Sequence, residues 1–348
     1  MTPRCPVAVV GAGVKAPGGC TVDELWDSLC KGLSFTVVFT DERLPDGVAL
    51  LANRVSGFDP GAYLTPVEAR RLDRSHQLAI GAAQDALDGV AGPLPPPDRC
   101  AVVCGIGFGA TATYEEQHAR LLQQGLRALS PLTIPMVMPS SVAAQLSLRF
   151  GFTGPCHTVS TACASGATAI GEGVELLRRG AADLVLAGGV DAMVTYNALC
   201  SFLRLDVMSR NTEQPDLASR PFDADRDGFV MGEGAGFLVL QRQDDARRAG
   251  RAPLGRVLGY GSGADAHHLV APSGDGAGAL RCMRAALADA EVGPEDLSHV
   301  NAHGTGTVLN DRAEATALSA LLGPASRPVA AVKGSTGHLI GGSGAVEA

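Results

Sequence analysis

A cysteine stands at position 163, where the β-branched run Val159-Ser160-Thr161 gives way to Ala162-Cys163-Ala164-Ser165-Gly166. Ala167, Ile170, Gly171, Val174 and Leu177 follow at helical spacing. The thiol is therefore predicted at a strand-to-helix turn, where unpaired N–H groups and the helix dipole favour negative charge. A cysteine there can act as a nucleophile, because the thiolate is the reactive form and its usual pKa of about 8.5 falls at a helix N-terminus or beside a cation. Two histidines and a lysine further along complete the candidate set: His303 in His303-Gly304-Thr305-Gly306-Thr307, and Lys333 and His338 in Val332-Lys333-Gly334-Ser335-Thr336-Gly337-His338. Lys333 lies between the apolar run Val329 to Val332 and a glycine turn, a poor place for a solvated surface lysine. The other eight cysteines (Cys5, Cys20, Cys30, Cys100, Cys104, Cys156, Cys200 and Cys282) are read as structural.

The elements that must bring these residues together come from an internal echo. Residues 82 to 107 run from an alanine-rich helix through prolines and Asp98 to the strand Arg99 to Val103 and a glycine loop. Residues 285 to 306 repeat that plan through Pro294, Asp296, the strand Ser298 to Ala302 and Gly304 to Gly306. The turn bearing Cys163 is echoed in the same way by the turn bearing Lys333 and His338. Alternating strands and helices indicate an α/β fold. Val7 to Val10, Asp183 to Ala187 and Gly234 to Leu240 read as strands, Val22 to Cys30 as a helix opened by a Thr21/Glu24 capping box, and Thr65 to Leu87 as one charged helix. Residues 1–250 form the half carrying the cysteine, and residues 251–348 the half carrying the histidines and lysine. By analogy with the first half, about 60 to 70 residues would follow Ala348, so the second half is expected to be truncated.

Composition bounds the function. With 46% hydrophobic and 18% charged residues in 348, the chain can bury a large core. A formal charge of −8 argues against a nucleic-acid surface. There is no leader pattern and no apolar stretch of the roughly 18 residues that span a bilayer, so a cytoplasmic protein without membrane attachment is expected. Cysteines without close paired spacing fit a reducing compartment, and the absence of CxxC and HExxH suggests no zinc.

The motifs around Cys163, His303, Lys333 and His338, together with Arg220-Pro221-Phe222-Asp223 and Arg226 to Gly234, resemble the β-ketoacyl-acyl carrier protein synthases of the thiolase superfamily. Within that family the chain most resembles the elongating condensing enzymes of dissociated fatty acid synthases and the ketosynthase subunits of bacterial type II polyketide synthases. The resemblance implies a thiolase-like fold of duplicated αβαβαββ halves in alternating layers and a catalytic set of Cys163, His303, His338 and Lys333. In that scheme Cys163 holds an acyl group, a malonyl-type extender on acyl carrier protein loses carbon dioxide, and the two imidazoles stabilise the enolate. Thr305 and Thr307 would bind the pantetheine arm, although such hydroxyls can equally satisfy local backbone. Phe229 would gate the nucleophile or simply fill the core, and Phe108 would close the acyl pocket. Arg70, Arg71 and Arg74, with Arg210 in support, would dock the acidic carrier, although a charged helix face is more often only solvated. No cofactor is implied beyond the carrier's phosphopantetheine, and the partner subunit would be a second copy or a ketosynthase-like chain-length subunit.

Two departures accompany the resemblance. Val270 stands where many relatives carry a pantetheine-contacting threonine. The glycine-rich loop that would complete the oxyanion hole is expected beyond Ala348, and losing one such donor costs about a hundredfold to a thousandfold in rate. The chain as it stands is thus expected to be inactive or poorly folded. A non-catalytic chain-length subunit and a degradative thiolase are alternatives, against which the intact Cys-His-His set weighs. Gly11-Ala12-Gly13 after an apolar run suggests a nicotinamide fingerprint, but Pro17, Gly18 and Gly19 delay the helix that such a site requires.

Overall fold

The computed structural model describes residues 6–45, 48–324 and 327–348. Cys5 lies outside the described residues. Among them are ten strands: β1 (Val7–Lys15), β2 (Val37–Phe39), β3 (Leu50–Asn53), β4 (Cys100–Gly105), β5 (Cys156–Val159), β6 (Leu184–Ala192), β7 (Met231–Arg242), β8 (Gly255–Val257), β9 (Val300–Asn301) and β10 (Val329–Ala330). The main sheet is mixed: β5, β4 and β6 run parallel, β7 joins β6 antiparallel, and β1 joins β7 antiparallel before β8. β3 branches from the start of β7 and carries β2.

The α/β class follows from the buried faces. β4 and β6 are buried along their whole length, as strands covered on both sides must be. Helix Arg74–Asp88 covers one face with Leu78, Ile80 and Ala86, and helix Ser165–Arg178 covers the other with Ile170, Val174 and Leu177. Gly11 and Gly13 of β1 belong to this packing: a Cβ on either would lie 2.1 Å from a carbonyl oxygen of helix Arg74–Asp88. They let strand and helix touch, and they form no phosphate loop.

The duplicated plan is visible in element order. Helix Arg74–Asp88, a 3-10 turn at Pro97–Arg99, β4 and a glycine loop are matched by helix Ala277–Ala290, a 3-10 turn at Pro294–Asp296, β9 and a glycine loop. The second sheet is small, a parallel pair of β9 and β10. Helix Ser343–Val346 packs against helix Ser165–Arg178 so closely that a Cβ on Gly166 would lie 2.6 Å from the Ala345 nitrogen.

Local expectations hold in part. Thr21 and Glu24 form the capping box on helix Val22–Cys30. β1, β6 and β7 outrun their expected spans, while the strand expected over Ser298 to Ala302 shrinks to Val300–Asn301. The single helix expected over Thr65 to Leu87 is two, Pro66–Arg71 and Arg74–Asp88. Leu72 is extended, and Asp73 accepts the Ser75 N–H to cap the second helix. No described helix is long and apolar enough to cross a membrane.

Candidate active site

Cys163 lies in the 3-10 turn Ala162–Ala164, between the end of β5 and helix Ser165–Arg178, as its spacing predicts. The turn is tight: Ala162 has φ 51°, a left-handed conformation unusual for a residue with a Cβ. Ser165 fixes it, its Oγ accepting the Thr161 N–H at 2.9 Å and donating to the Ala162 carbonyl at 2.6 Å.

His338 reaches the same point from the second half. Its N–H donates to the Val230 carbonyl at 2.7 Å, and its carbonyl accepts the Gly232 N–H at 2.9 Å, so its backbone is pinned to the start of β7. Its Nε2 lies 3.0 Å from Cys163 Sγ. On the far side of the ring, Nδ1 faces the Ile340 N–H at 3.3 Å and Ser343 Oγ at 3.0 Å. Ser343 Oγ already accepts the Leu339 N–H at 3.0 Å, so its hydroxyl hydrogen is free to donate to Nδ1. Nδ1 is therefore the acceptor nitrogen, Nε2 carries the hydrogen, and the imidazole presents a donor to sulfur.

His303 completes the cluster, its ring edge-on to that of His338 with centroids 5.4 Å apart. The sulfur and the ring nitrogens converge to within 4.8 Å of one another. Glu314, from helix Val308–Leu322, fixes this position by accepting the N–H groups of His303 and Gly304 at 2.6 and 2.8 Å. The spacing of the three groups would also suit a metal ion, but His338 aims an N–H at the sulfur where a ligand would aim a lone pair.

Lys333 is buried, and its Nζ donates to Glu347 Oε1 at 2.5 Å. Burial pushes the imidazole of His303 down to about 3, and the Lys333 charge adds to that effect. His338 is driven well below the usual histidine range by burial, Lys333 and His303. Both rings are thus neutral hydrogen-bond donors at neutral pH. Burial also pushes the Cys163 thiol up to about 11, opposed by Lys333 and reinforced by Asp191 and Glu347. That reverses the lowering expected from a helix terminus alone, because desolvation of the sulfur outweighs the neighbouring positive charge.

The remaining predicted residues fall into two groups. Phe229 is buried, with its ring 5.3 Å from that of His338 and edge-on to it. Phe202 links Phe229 to Phe108 through edge contacts at 5.7 and 6.3 Å, and Phe108 is 59% exposed. Thr305 is buried, its hydroxyl 3.0 Å from that of Thr307, which also accepts the Asn310 N–H and caps helix Val308–Leu322. Arg70 and Arg71 end helix Pro66–Arg71 with exposed side chains. Arg74 instead pairs with Glu233 at 3.0 Å and donates to the Val55 carbonyl. Arg210 is exposed and paired with Asp206, and Val270 is exposed.

Sequence reasoning missed the residues that hold this set in place: Asp191, Asp311, Glu314, Ser343 and Glu347. Asp311 is buried and accepts the N–H groups of Phe222 and Gly306. Only a faint signal was available, acidic residues one turn into the helix that follows the Gly304 to Gly306 loop.

Fold and site together define a thiolase-like condensing enzyme. The chain belongs to the β-ketoacyl synthase family: residues 4–246 match the beta-ketoacyl synthase N-terminal domain and residues 254–348 the C-terminal domain. It is 36% identical to the 3-oxoacyl-[acyl-carrier-protein] synthase 2 of Staphylococcus aureus, an alignment covering 100% of this chain and 85% of that protein. Among solved structures it is similar to a type II polyketide ketosynthase in complex with its acyl carrier protein and bound to a hexaketide, at TM-score 0.89 and 28% identity over 99% of this chain and 85% of that one. The ishigamide ketosynthase/chain length factor is equally similar, at TM-score 0.89 and 32% identity over 99% and 84%.

Proposed function

We propose that the chain catalyses decarboxylative Claisen condensation of a Cys163-bound acyl group with malonyl-acyl carrier protein, in fatty acid or polyketide biosynthesis. The observation that carries this reading is the 3.0 Å approach of His338 Nε2 to Cys163 Sγ, with His303 beside it. Cys163 as thiolate attacks the carrier thioester, forming a new C–S bond as the carrier thiol leaves. The extender then loses carbon dioxide, and its enolate oxygen accepts hydrogen bonds from the neutral imidazoles. The carbanion attacks the acyl carbon and returns the electron pair to sulfur. Lys333, held by Glu347, would orient the histidines, and its charge adds to burial in keeping them uncharged.

The arm of the substrate is carried by the carrier protein, so the reading calls for no free cofactor and no metal. Thr305 would contact that arm, with Thr307 shared between it and the helix cap. Phe229 would stand at the nucleophile and Phe108 at the acyl pocket. The carrier would dock at Arg70 and Arg71, beside a groove of about 340 Å³ that Arg74 and Arg120 also line; Arg210 lends weaker support. The commitment of Arg74 to Glu233 reduces its share. A second subunit, identical or of the chain-length kind, fits the relatives' assemblies, and a cytoplasmic site fits the reaction. The two halves divide near residue 250, which the boundary between the two family domains supports.

The test is intact-mass measurement after incubation with acyl carriers. Cys163→Ala should abolish acylation, whereas His303→Ala and His338→Ala should still acylate and lose condensation by about a hundredfold or more. Acylation of the Cys163→Ala protein, or full condensation by the histidine variants, would overturn the assignment.

A further inference from the structure

Asp191, at the end of β6, has no solvent exposure and forms no ion pair among the described residues. A buried carboxylate without a cation is costly unless hydrogen bonds replace water. Here four backbone N–H groups do so. Oδ2 accepts from Gly107 at 2.7 Å and Gly341 at 2.8 Å, and Oδ1 accepts from Phe108 at 3.0 Å and Gly109 at 2.9 Å. One carboxylate thus joins two loops from different halves: the loop after β4 that carries Phe108, and the turn that follows His338.

The second of these loops is strained. Ile340, a β-branched residue, has φ 49°, a conformation that persists only where its surroundings impose it. The same turn delivers the Ile340 N–H to His338 Nδ1. The loops are as close as backbone allows: a Cβ on Gly107 would lie 2.7 Å from both Asp191 Oδ2 and Ile340 Cγ2, and one on Gly341 would lie 2.5 Å from the Gly107 nitrogen.

We infer that Asp191 is a positioning residue for the Cys163–His338 pair, its carboxylate tying the Phe108 loop to the strained His338 turn. This rests on the proposed roles of Cys163 and His338. By holding Gly341, Asp191 keeps the Ile340 N–H on Nδ1 and so keeps the Nε2 hydrogen directed at sulfur. Its negative charge simultaneously opposes ionisation of the thiol. These two effects on the nucleophile have opposite signs, so condensation per intact site, and not thiol reactivity alone, reports the role.

Asp191→Asn is nearly isosteric but turns an NH2 group toward two of the four donors. In the 348-residue chain iodoacetamide alkylation of Cys163 at pH 8 counts the sites that stay folded and accessible, because loss of the charge favours ionisation of the thiol while loss of the donor opposes it. Condensation per alkylatable site should fall at least tenfold, because the donor is misplaced. An unchanged condensation rate per site, with only a lower Tm, would overturn the inference. If the variant does not fold, hydrogen exchange on the unaltered chain decides: peptides covering 105–110 and 338–343 should share one slow rate. Gly341 exchanging like a free loop while Gly107 to Gly109 stay protected would refute the clamp. Alkylation and exchange need no carrier substrate, so failure of the clamp is separable from failure of the condensing reaction.

Discussion

At the scale of single residues, the site is a contest over one sulfur. The helix terminus, the Nε2–H of His338 and the charge of Lys333 favour thiolate, while burial, Asp191 and Glu347 favour thiol. Burial wins in the resting protein, with the thiol pushed up to about 11. The thiolate fraction should then rise about tenfold per pH unit across neutral and mildly alkaline pH. Iodoacetamide labelling of Cys163, followed by mass spectrometry between pH 7 and 10, should climb without levelling off. A plateau below pH 8.5 would show that the terminus and the imidazole outweigh desolvation. Resting suppression of the thiolate suits the proposed role, in which the nucleophile is needed only once a carrier's thioester excludes water and presents its carbonyl.

At the scale of elements, the division of the expected helix at Leu72 and Asp73 decides how a carrier could be met. Arg70 and Arg71 fall in the last turn of Pro66–Arg71, where the helix dipole favours cations, and Arg74 opens the next helix already paired with Glu233. Reversing both exposed arginines to glutamate should raise KM for carrier-bound substrate roughly fivefold to tenfold, since exposed pairs contribute about 0.2–1 kcal/mol each. A free thioester analogue should be spared, and added salt should shrink the difference. Equal effects on both substrates would remove the docking role. The break at Leu72 was illegible because no glycine or proline marks it; the signal is Asp73 capping Ser75, and an aspartate inside a charged run announces nothing. The Thr21/Glu24 box and the turn at Cys163 were legible because their partners lie within four residues. Asp191, Glu314 and Glu347 act across 10 to 150 residues, and apart from the place of Glu314 early in its helix no local pattern distinguishes them from surface acids.

At the scale of the whole molecule, stability and the proposed catalysis make the same demand on histidine: that it stay neutral. His338 and His303 are held low by burial and Lys333, and His76, buried against Ser141 with Nε2 2.9 Å from its hydroxyl, is lowered to about 4 by burial. In the unfolded chain each returns to about 6.5, so below that pH the unfolded state binds more protons and stability falls with acidification. The contribution is intact above pH 6.5 and is lost as pH drops toward each folded value. Asp191 and Glu347, raised by burial, run the other way and offset part of the loss. His76 can be tested apart from the Cys163 cluster because its ring nitrogens face Ser75 and Ser141, and its carboxylate neighbour, Asp73, only partly counters burial. Between pH 6.5 and 4 it should account for on the order of 3 kcal/mol, from about 1.4 kcal/mol per pH unit for one proton. Urea unfolding of His76→Asn across that range should therefore give a shallower decline than the unaltered chain, by up to that slope. Parallel declines would mean that His76 is protonated in the folded protein at mildly acidic pH, and would place the acid sensitivity on the two histidines beside Cys163, where protonation of His338 turns Nδ1 from acceptor to donor and sets it against the Ile340 N–H.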